Sequence, residues 1–404
     1  MRFFYLDAAL QARHSHHGEY CRLIAGELRR RGLRPVIWGH RELRADLAEE
    51  LGAQPCFRWF TYLQSFRRKD PIAGWLRDFD VGWRLTLEDM QRITPFSNED
   101  IVYFSSVWPA QFMALLQWLG PISPERRPRV FVEFGTEPGV KLTQSPARHS
   151  QIEVLEPRLD PRGTLYRYVG SLAKPQDFPR ACLFTFEQTV SEIYRVLTGW
   201  PFATLPWPHG SVVSNRSRSG KRPVRAAVIG HQRSEKGFQH IPEVMRQLFD
   251  KADVEFLVHN SAPEEMVDTQ NALRELARNH PRLTLDERSV YGLHWAGILE
   301  QADLMICPYD PVRYATSHSA LVTECIANGI PCVVPANTIA AAMCREFGGV
   351  AVEISEWTAT AIVASIRTAL ANFDMLAERA RAAAQRWQQL NGAPRLVDRL
   401  LQAP

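Results

Sequence analysis

Two stretches in the second half of the chain hold residue types that can grip a polyanion. The first, VRAAVIGHQRSEKGFQHIPEVMRQLF, opens at Val224. Its apolar run reads as a strand ending at Gly230. A polar loop then carries Arg233 and Lys236, and Gly237 precedes a helix with Phe238, Ile241, Val244, Met245 and Leu248 on one face. Glycine allows close backbone approach to a ligand. Arg and Lys at the carboxyl end of a strand place charge for phosphate oxygens. Taken alone, the same residues also make an ordinary solvated basic turn.

The second stretch, ADLMICPYDPVRYATSHSALVTECIANGIPCVVPA, opens at Ala302. A buried strand ends at Pro308, a loop follows, and Ser317 or Ser319 can cap a helix running to Asn328 before Gly329. Leu321, Val322, Cys325 and Ile326 form its inner face. The free N–H groups and positive dipole at such a helix start suit a diphosphate. Glu324, just over one turn inside, can accept two hydrogen bonds from a ribose diol. The blander reading makes it a solvent-facing helix residue. Its place beside inward Cys325, in a segment with no other charge, favours the site.

These stretches need parallel strands to present them, and the chain supplies them: short β-rich runs alternate with amphipathic helices nearly throughout. In the first half the strands read as Arg2–Leu6, Pro35–Trp38, Ile101–Ser105, Val130–Phe134, Cys182–Phe186 and Ala203–Leu205. After a Ser/Arg/Gly/Pro-rich linker within Trp207–Pro223, the second half reads Val224–Gly230, Val254–His259, Leu283–Asp286, Leu304–Pro308, Cys332–Pro335 and Val350–Ile354. Asp7–Gly18 reads as a loop, Glu19–Arg31 as a helix ended by Gly32, and Pro109–Leu119 as a helix. Two βαβ domains are expected, at 1–207 and 224–385, with a linker at 208–223 and a terminal helix at 386–404. Glu42–Glu99 reads as helical, and Gly139–Arg180 as a polar surface excursion.

The two polyanion stretches resemble the nucleotide-sugar domain of GT-B glycosyltransferases, in particular retaining enzymes of glycosyltransferase family 4. That family writes Gly-Arg-x-x-x-Glu-Lys-Gly, which Gly230, Glu235, Lys236 and Gly237 match; His231 stands at the Arg position, with Arg233 as a substitute. Glu324 matches the second Glu of the family's Glu-x7-Glu motif, and Thr316 stands at the first. Tyr309, Asp310, Pro311 and Tyr314 resemble a subgroup's Tyr-Asp-Pro-x-x-Tyr. More weakly, His16, His17 and Gly18 resemble the glycine loop after the first strand. PRVFVEFGTEPG resembles the strand that delivers a His, here Gly135, and LPWPHG (Leu205–Gly210) resembles a Pro-Asn-Gly turn. AQRWQQLNGAPRLVDRLL, with Trp387, resembles the helix that crosses back to the first domain.

The resemblance implies an α/β GT-B fold, two Rossmann-like domains facing a central cleft, and transfer of a sugar from a UDP- or GDP-type donor to a saccharide or glycolipid acceptor, with retention and without a metal or other cofactor. It implies catalytic roles for Lys236, Arg233 and Glu137, with Glu133 nearby. Donor contacts fall on Gly230, His231, Gly237, Tyr314, Ser317, Ser319, Ala320, Leu321 and Glu324. Acceptor contacts fall on His16, His17, Gly18 and Gly135. No side-chain nucleophile is evident. The alternatives are a GT-B sugar-nucleotide epimerase and an inactive nucleotide-sugar-binding protein, the latter suggested by Thr316 and Gly135. Family context suggests polysaccharide or glycolipid assembly.

Composition narrows the field. The 404 residues are 45% apolar and 23% charged, with a net charge of +4, too weak a basic balance to imply nucleic acid. Seven cysteines form no CxxC pattern, which fits reduced thiols in the cytoplasm. The apolar stretches Ile101–Pro124 and Cys325–Cys344 are interrupted by polar residues and prolines, and the N-terminal segment lacks a cleavage signature, so a soluble protein is expected. Asp78 and Asp80 form an Asp-x-Asp in a helical context, which reads as surface rather than as a metal site. His14, His16 and His17 lack a second ligand cluster. Neither Gly-x-Ser-x-Gly nor a Walker A motif occurs. The aromatic, basic stretch Arg58–Trp75 reads equally as an anionic-membrane contact on the inner face or as a helix with its aromatics inward.

Overall fold

The computed structural model describes residues 1–12, 16–62, 71–93, 96–135, 138–143, 151–208, 223–249, 253–290 and 293–402. Glu137, His14 and residues 209–222 of the expected linker lie outside them. The chain divides into two compact units, Met1–Pro208 with Asn391–Pro404, and His209–Leu390.

The first unit contains β1 (Phe3–Leu6), β2 (Pro35–His40), β3 (Ala53–Phe57), β4 (Ile101–Val107), β5 (Arg129–Phe134), β6 (Val140–Thr143), β7 (Gln151–Val154), β8 (Ala181–Thr185) and β9 (Phe202–Thr204). Seven of them form a parallel sheet in the order β3-β2-β1-β4-β5-β8-β9, while β6 and β7 pair antiparallel on their own. The second unit contains β10 (Val224–Val228), β11 (Val254–His259), β12 (Leu283–Asp286), β13 (Leu304–Ile306), β14 (Cys332–Pro335) and β15 (Ala351–Ile354). They form a parallel sheet in the order β12-β11-β10-β13-β14-β15. Central strands such as FFYL and IVYFSSV are buried along their whole length, as strands covered on both faces must be. In both sheets the chain moves outward from its first strand and then restarts on that strand's other side. The loops leaving β1 and β4, and those leaving β10 and β13, therefore part company at a switch point where ligands bind in such folds.

Four features differ from the sequence reading, the first being the stretch Gly139–Arg180: read as a polar surface excursion, it holds β6, β7 and the helix Arg162–Ser171, whose Leu165, Tyr166 and Val169 are buried. β3 sits inside the stretch read as helical. Pro55 weakens the strand signal there, and the strand is an edge, where proline removes no needed hydrogen bond. The first helix begins at His16, not Glu19, so His16, His17 and Gly18 form its first turn instead of a loop. Asp7 holds His17 Nδ1 at 2.9 Å and fixes that turn early. Trp387 lies on the helix Phe373–Leu390 and packs on Phe347 at 5.1 Å within the second unit, so the returning segment starts only at Asn391.

That segment is anchored by Trp207. Its N–H donates to Asn391 Oδ1 (2.8 Å), its carbonyl accepts from Gly392 N–H (2.6 Å), and its indole donates to Tyr20 (2.9 Å). Helix Ala393–Gln402 then buries Leu396, Val397 and Leu400 in the core that holds Ile24 and Leu28. Among the described residues no helix is long and apolar enough to cross a membrane. Leu396→Ala should cost about 2–5 kcal/mol in urea unfolding. Leu390→Ala, at a half-exposed position, should change stability by less than about 0.5 kcal/mol.

Candidate functional site

At the switch point of the second unit, Gly237 governs the geometry. Its φ is +73°, and a Cβ added there would lie 1.9 Å from the carbonyl oxygen of Pro308, so only glycine fits. Asp310 N–H donates to Glu235 O (2.8 Å), joining the same two loops a second time. Trp357 Nε1 donates to Pro308 O (2.8 Å) and steadies the β13 side. Residues Ser234–Lys236 make one 3-10 turn that folds Lys236 back over the preceding strand end. There a Cβ on Gly230 would be 3.8 Å from Lys236 Nζ.

Lys236 is partly buried, and its ammonium has no hydrogen-bond or ion-pair partner among the described residues. Burial, reinforced by the Arg233 charge, pulls its pKa down to about 8, against smaller raising influences from Cys307 and Glu235. Arg233 and His231 are differently placed. His231 Nε2 lies 2.8 Å from Glu265 Oε1, and Arg233 contacts Glu265 at 3.8 Å and Glu235 at 3.5 Å. An intramolecular carboxylate thus stands against both groups. Gly230 directs its own N–H to His259 Nδ1 (3.2 Å), and His259 Nε2 faces the Arg288 carbonyl (2.7 Å). The ring nitrogen that accepts from Gly230 is unprotonated, so Nε2 carries the proton. Burial lowers the His259 pKa and keeps the ring in that neutral form.

The other wall is the helix Ala320–Ala327. Ser319 caps it, accepting from Val322 N–H at 3.2 Å and sharing a hydrogen bond with Tyr309 Oη at 2.9 Å. Tyr309 stacks on Tyr314 at 4.2 Å. Thr316, Ser317 and Ser319 are buried, whereas Ala320 and Leu321 are partly exposed. Their backbone N–H groups have no acceptor among the described residues. Glu324 is buried and accepts at Oε2 from Trp295 Nε1 (3.0 Å). Trp295 packs 6.1 Å from the His259 ring. A continuous run of neighbours therefore leads from Glu324 through Trp295, His259, Gly230, Lys236, Gly237, Pro308 and Tyr309 back to Ser319. His259, Trp295 and Glu265 are the members that sequence reasoning missed. His259 ends a strand, the one signal that could have drawn notice.

The corresponding switch point of the first unit is acidic. Asp7 and His17 pair at 2.9 Å, and Tyr62 Oη meets His17 Nε2 at 2.7 Å and His16 Nε2 at 3.1 Å. Burial would lower the His17 pKa, but the Asp7 charge and hydrogen bond outweigh it and raise it. Glu133 accepts from Tyr103 Oη (2.6 Å) and Ser105 Oγ (2.9 Å), yet burial outweighs both and lifts its pKa to about 7. Ser106 adopts φ +52° where β4 ends, a strained backbone at the same place. Gly135 accepts from Tyr194 Oη (2.8 Å), and a Cβ there would sit 3.0 Å from Trp108 Nε1.

Other sequence candidates resolve simply. Asp80 pairs with Arg84 at 2.9 Å, and Asp78 is buried on the same helix, two residues away and so on another face. Among the described residues no group of three His, Cys, Asp or Glu could hold a metal ion. Trp75 and Trp108 are buried with Trp59 and Tyr62 against them, and Arg58 pairs with Glu88 and Asp89, both at 2.7 Å. The described part of that stretch therefore turns its aromatics inward.

No protein-family model matches the sequence, and no curated protein is similar to it. Solved structures match along nearly the whole chain. Sucrose-phosphate synthase from Thermosynechococcus elongatus is 11% identical with TM-score 0.59, covering 97% of this chain and 95% of that one. Anabaena HepE in complex with UDP is 10% identical with TM-score 0.60, covering 100% and 98%. A putative UDP-N-acetylglucosamine 2-epimerase from Listeria monocytogenes is 12% identical with TM-score 0.58, covering 99% and 94%. The chain has the GT-B fold.

Gly237→Ala should destabilise the second unit by more than about 2 kcal/mol in denaturant unfolding. Gly297→Ala, on a helix with nothing within 4 Å of the added carbon, should be neutral or slightly stabilising. The raised Glu133 pKa carries a definite sign. Between its ordinary 4.5 and about 7, the folded chain keeps the proton that the unfolded chain loses, so stability falls as pH rises through this window. Glu133→Gln should remove that part of the slope, up to about 3 kcal/mol in the difference between variant and parent above pH 7. Chemical denaturation on both sides of the window checks it.

Proposed function

We propose that this chain is a glycosyltransferase that moves a sugar from a nucleoside-diphosphate sugar to a saccharide or lipid-linked acceptor. The observation that carries this reading is the unpartnered ammonium of Lys236, held over Gly230 beside a helix start with two open N–H groups. A partly buried cation without a counterion is costly unless an anion completes it. The diphosphate would lie against Lys236 and Arg233, displacing Glu265 from the latter, and would take the N–H groups of Ala320 and Leu321. Glu324 would face the ribose.

Catalysis on this reading is electrostatic. As the bond from sugar to phosphate breaks, negative charge accumulates on the leaving diphosphate, and fixed cations and N–H donors stabilise it without reorganising. Each well-placed donor in such a site contributes about 3 kcal/mol to the barrier. Retention is what the sequence resemblance implies, and the UDP complex of HepE supports a nucleotide partner of that class. A second reading, conversion of a UDP-sugar without any acceptor, is favoured by the epimerase-like neighbour. Product analysis with the acceptor omitted separates the two.

UDP at 100 times its dissociation constant should stabilise the protein by ~2.7 kcal/mol, and Lys236→Ala should abolish most of that shift. Unchanged stabilisation and turnover in the variant would overturn the assignment. Because the protonated amine binds the anion, UDP affinity should fall as pH rises through about 8. Lys236→Arg, which stays charged, should remove this inflection.

A further inference from the structure

The first unit contains a cavity of about 470 Å³ that none of the residues assigned to the acceptor lines. Its volume falls within the ~300–1,000 Å³ range of small-molecule sites. Trp59, Phe60 and Tyr62 give it an aromatic wall. Phe60 and Tyr62 pack edge to face at 5.4 Å, and His40 meets Phe60 at 5.8 Å. Trp59 is held against the helix Pro71–Arg92, where a Cβ on Gly82 would come 2.6 Å from its indole nitrogen. The aromatic rings of the wall thus pack against one another, against His40 and against that helix.

Polar groups converge on the same space. His40 Nδ1 accepts from Gln11 Nε2 (2.8 Å) and from Glu42 N–H (3.1 Å), so its orientation is fixed, and burial lowers its pKa. Three arginines, Arg41, Arg58 and Arg77, and two carboxylates, exposed Glu42 and buried Asp78, line the cavity, and their availability is unequal. Arg58 is consumed by Glu88 and Asp89. Arg41 touches Glu42 only at 3.6 Å, with both side chains exposed. Arg77 is exposed and has no carboxylate partner among the described residues. Tyr62, which closes one side, also bonds His16 and His17, so the cavity adjoins the switch point of this unit.

We infer that this cavity binds the acceptor, and that the acceptor is a saccharide bearing a carboxylate or a phosphate. Faces of the sugar ring pack on Phe60, Tyr62 and Trp59, the hydroxyls reach Gln11 and His40, and the anionic group pairs with Arg77 and Arg41. Aromatic walls suit the apolar face of a pyranose. An exposed guanidinium without a counterion suits an oxyanion, to which it donates two parallel hydrogen bonds. The inference rests on the glycosyltransferase reading for the word acceptor, but the binding step is independent of the nucleotide.

The test uses the full chain with glucuronic acid, glucose 6-phosphate and glucose, titrated by ligand-observed NMR with and without saturating UDP. At least one anionic sugar should bind about tenfold more tightly than glucose, and Arg77→Ala should remove that preference while leaving UDP stabilisation intact. A uronic acid preferred over the phosphate, or the reverse, identifies the anion. Equal binding of all three, no binding of any, or an Arg77→Ala variant that keeps the preference overturns the inference. Anionic sugar binding in a protein that UDP fails to stabilise would sink the nucleotide assignment instead and leave the cavity standing.

Discussion

The close approach of Gly237 to the Pro308 carbonyl is the constraint on which the second unit's ligand end is built. Two loops that leave adjacent parallel strands ordinarily diverge. Here a residue without a side chain lets one backbone settle on the other, and the Asp310 to Glu235 hydrogen bond locks the pair. Lys236, immediately before the glycine, has its backbone placed by that approach, and its ammonium lies beside Gly230. The point from which this side chain starts thus follows from a steric fact about its neighbour.

Electrostatics then divides the two sheets, although their strand orders begin alike. At the second switch point the groups are cationic, and two of them, Arg233 and His231, stand against the Glu265 carboxylate. At the first, the groups are Asp7, His17 and Glu133, all buried and hydrogen-bonded to one another or to Tyr and Ser hydroxyls. Burial acts in opposite senses on these sets. It weakens the hold of Lys236 on its proton and strengthens that of Glu133, because in each case the neutral form is the one that low polarity prefers. A fold built twice from the same topology therefore presents a cluster of cationic groups at one sheet and a proton-holding network at the other.

The strands of both sheets were legible because parallel strands covered on both faces leave long apolar runs, and the pattern from Val254 to His259 or Cys332 to Pro335 has sharp ends. β3 was not legible, since an edge strand tolerates Pro55 and carries exposed residues. The polar β6–β7 hairpin was hidden for a similar reason: Lys141 and Glu153 face each other across it, and such pairs look like loop. At the site, Gly230, Lys236, Gly237, Ser319 and Glu324 could be found because their spacing is local. His259, Trp295 and Glu265 could not, because each reaches the site from a different strand or helix, and one sequence holds no record of which distant residues meet.

Besides His231, two positions that depart from the resembled family have distinct physical settings. Gly135 cannot gain a side chain without moving Trp108, which is buried with Trp75, while its carbonyl is held by Tyr194. A histidine there would press on the Trp108 indole, and the polar residue nearest to it on the preceding strand is Glu133. Thr316 is buried, directly before Ser317 and three residues before the capping Ser319. A carboxylate in its place would have to be desolvated at a helix start, where only a ligand or the free N–H groups could compensate it. The two substitutions thus act differently: one commits a backbone to packing, and the other spares a helix start a buried negative charge.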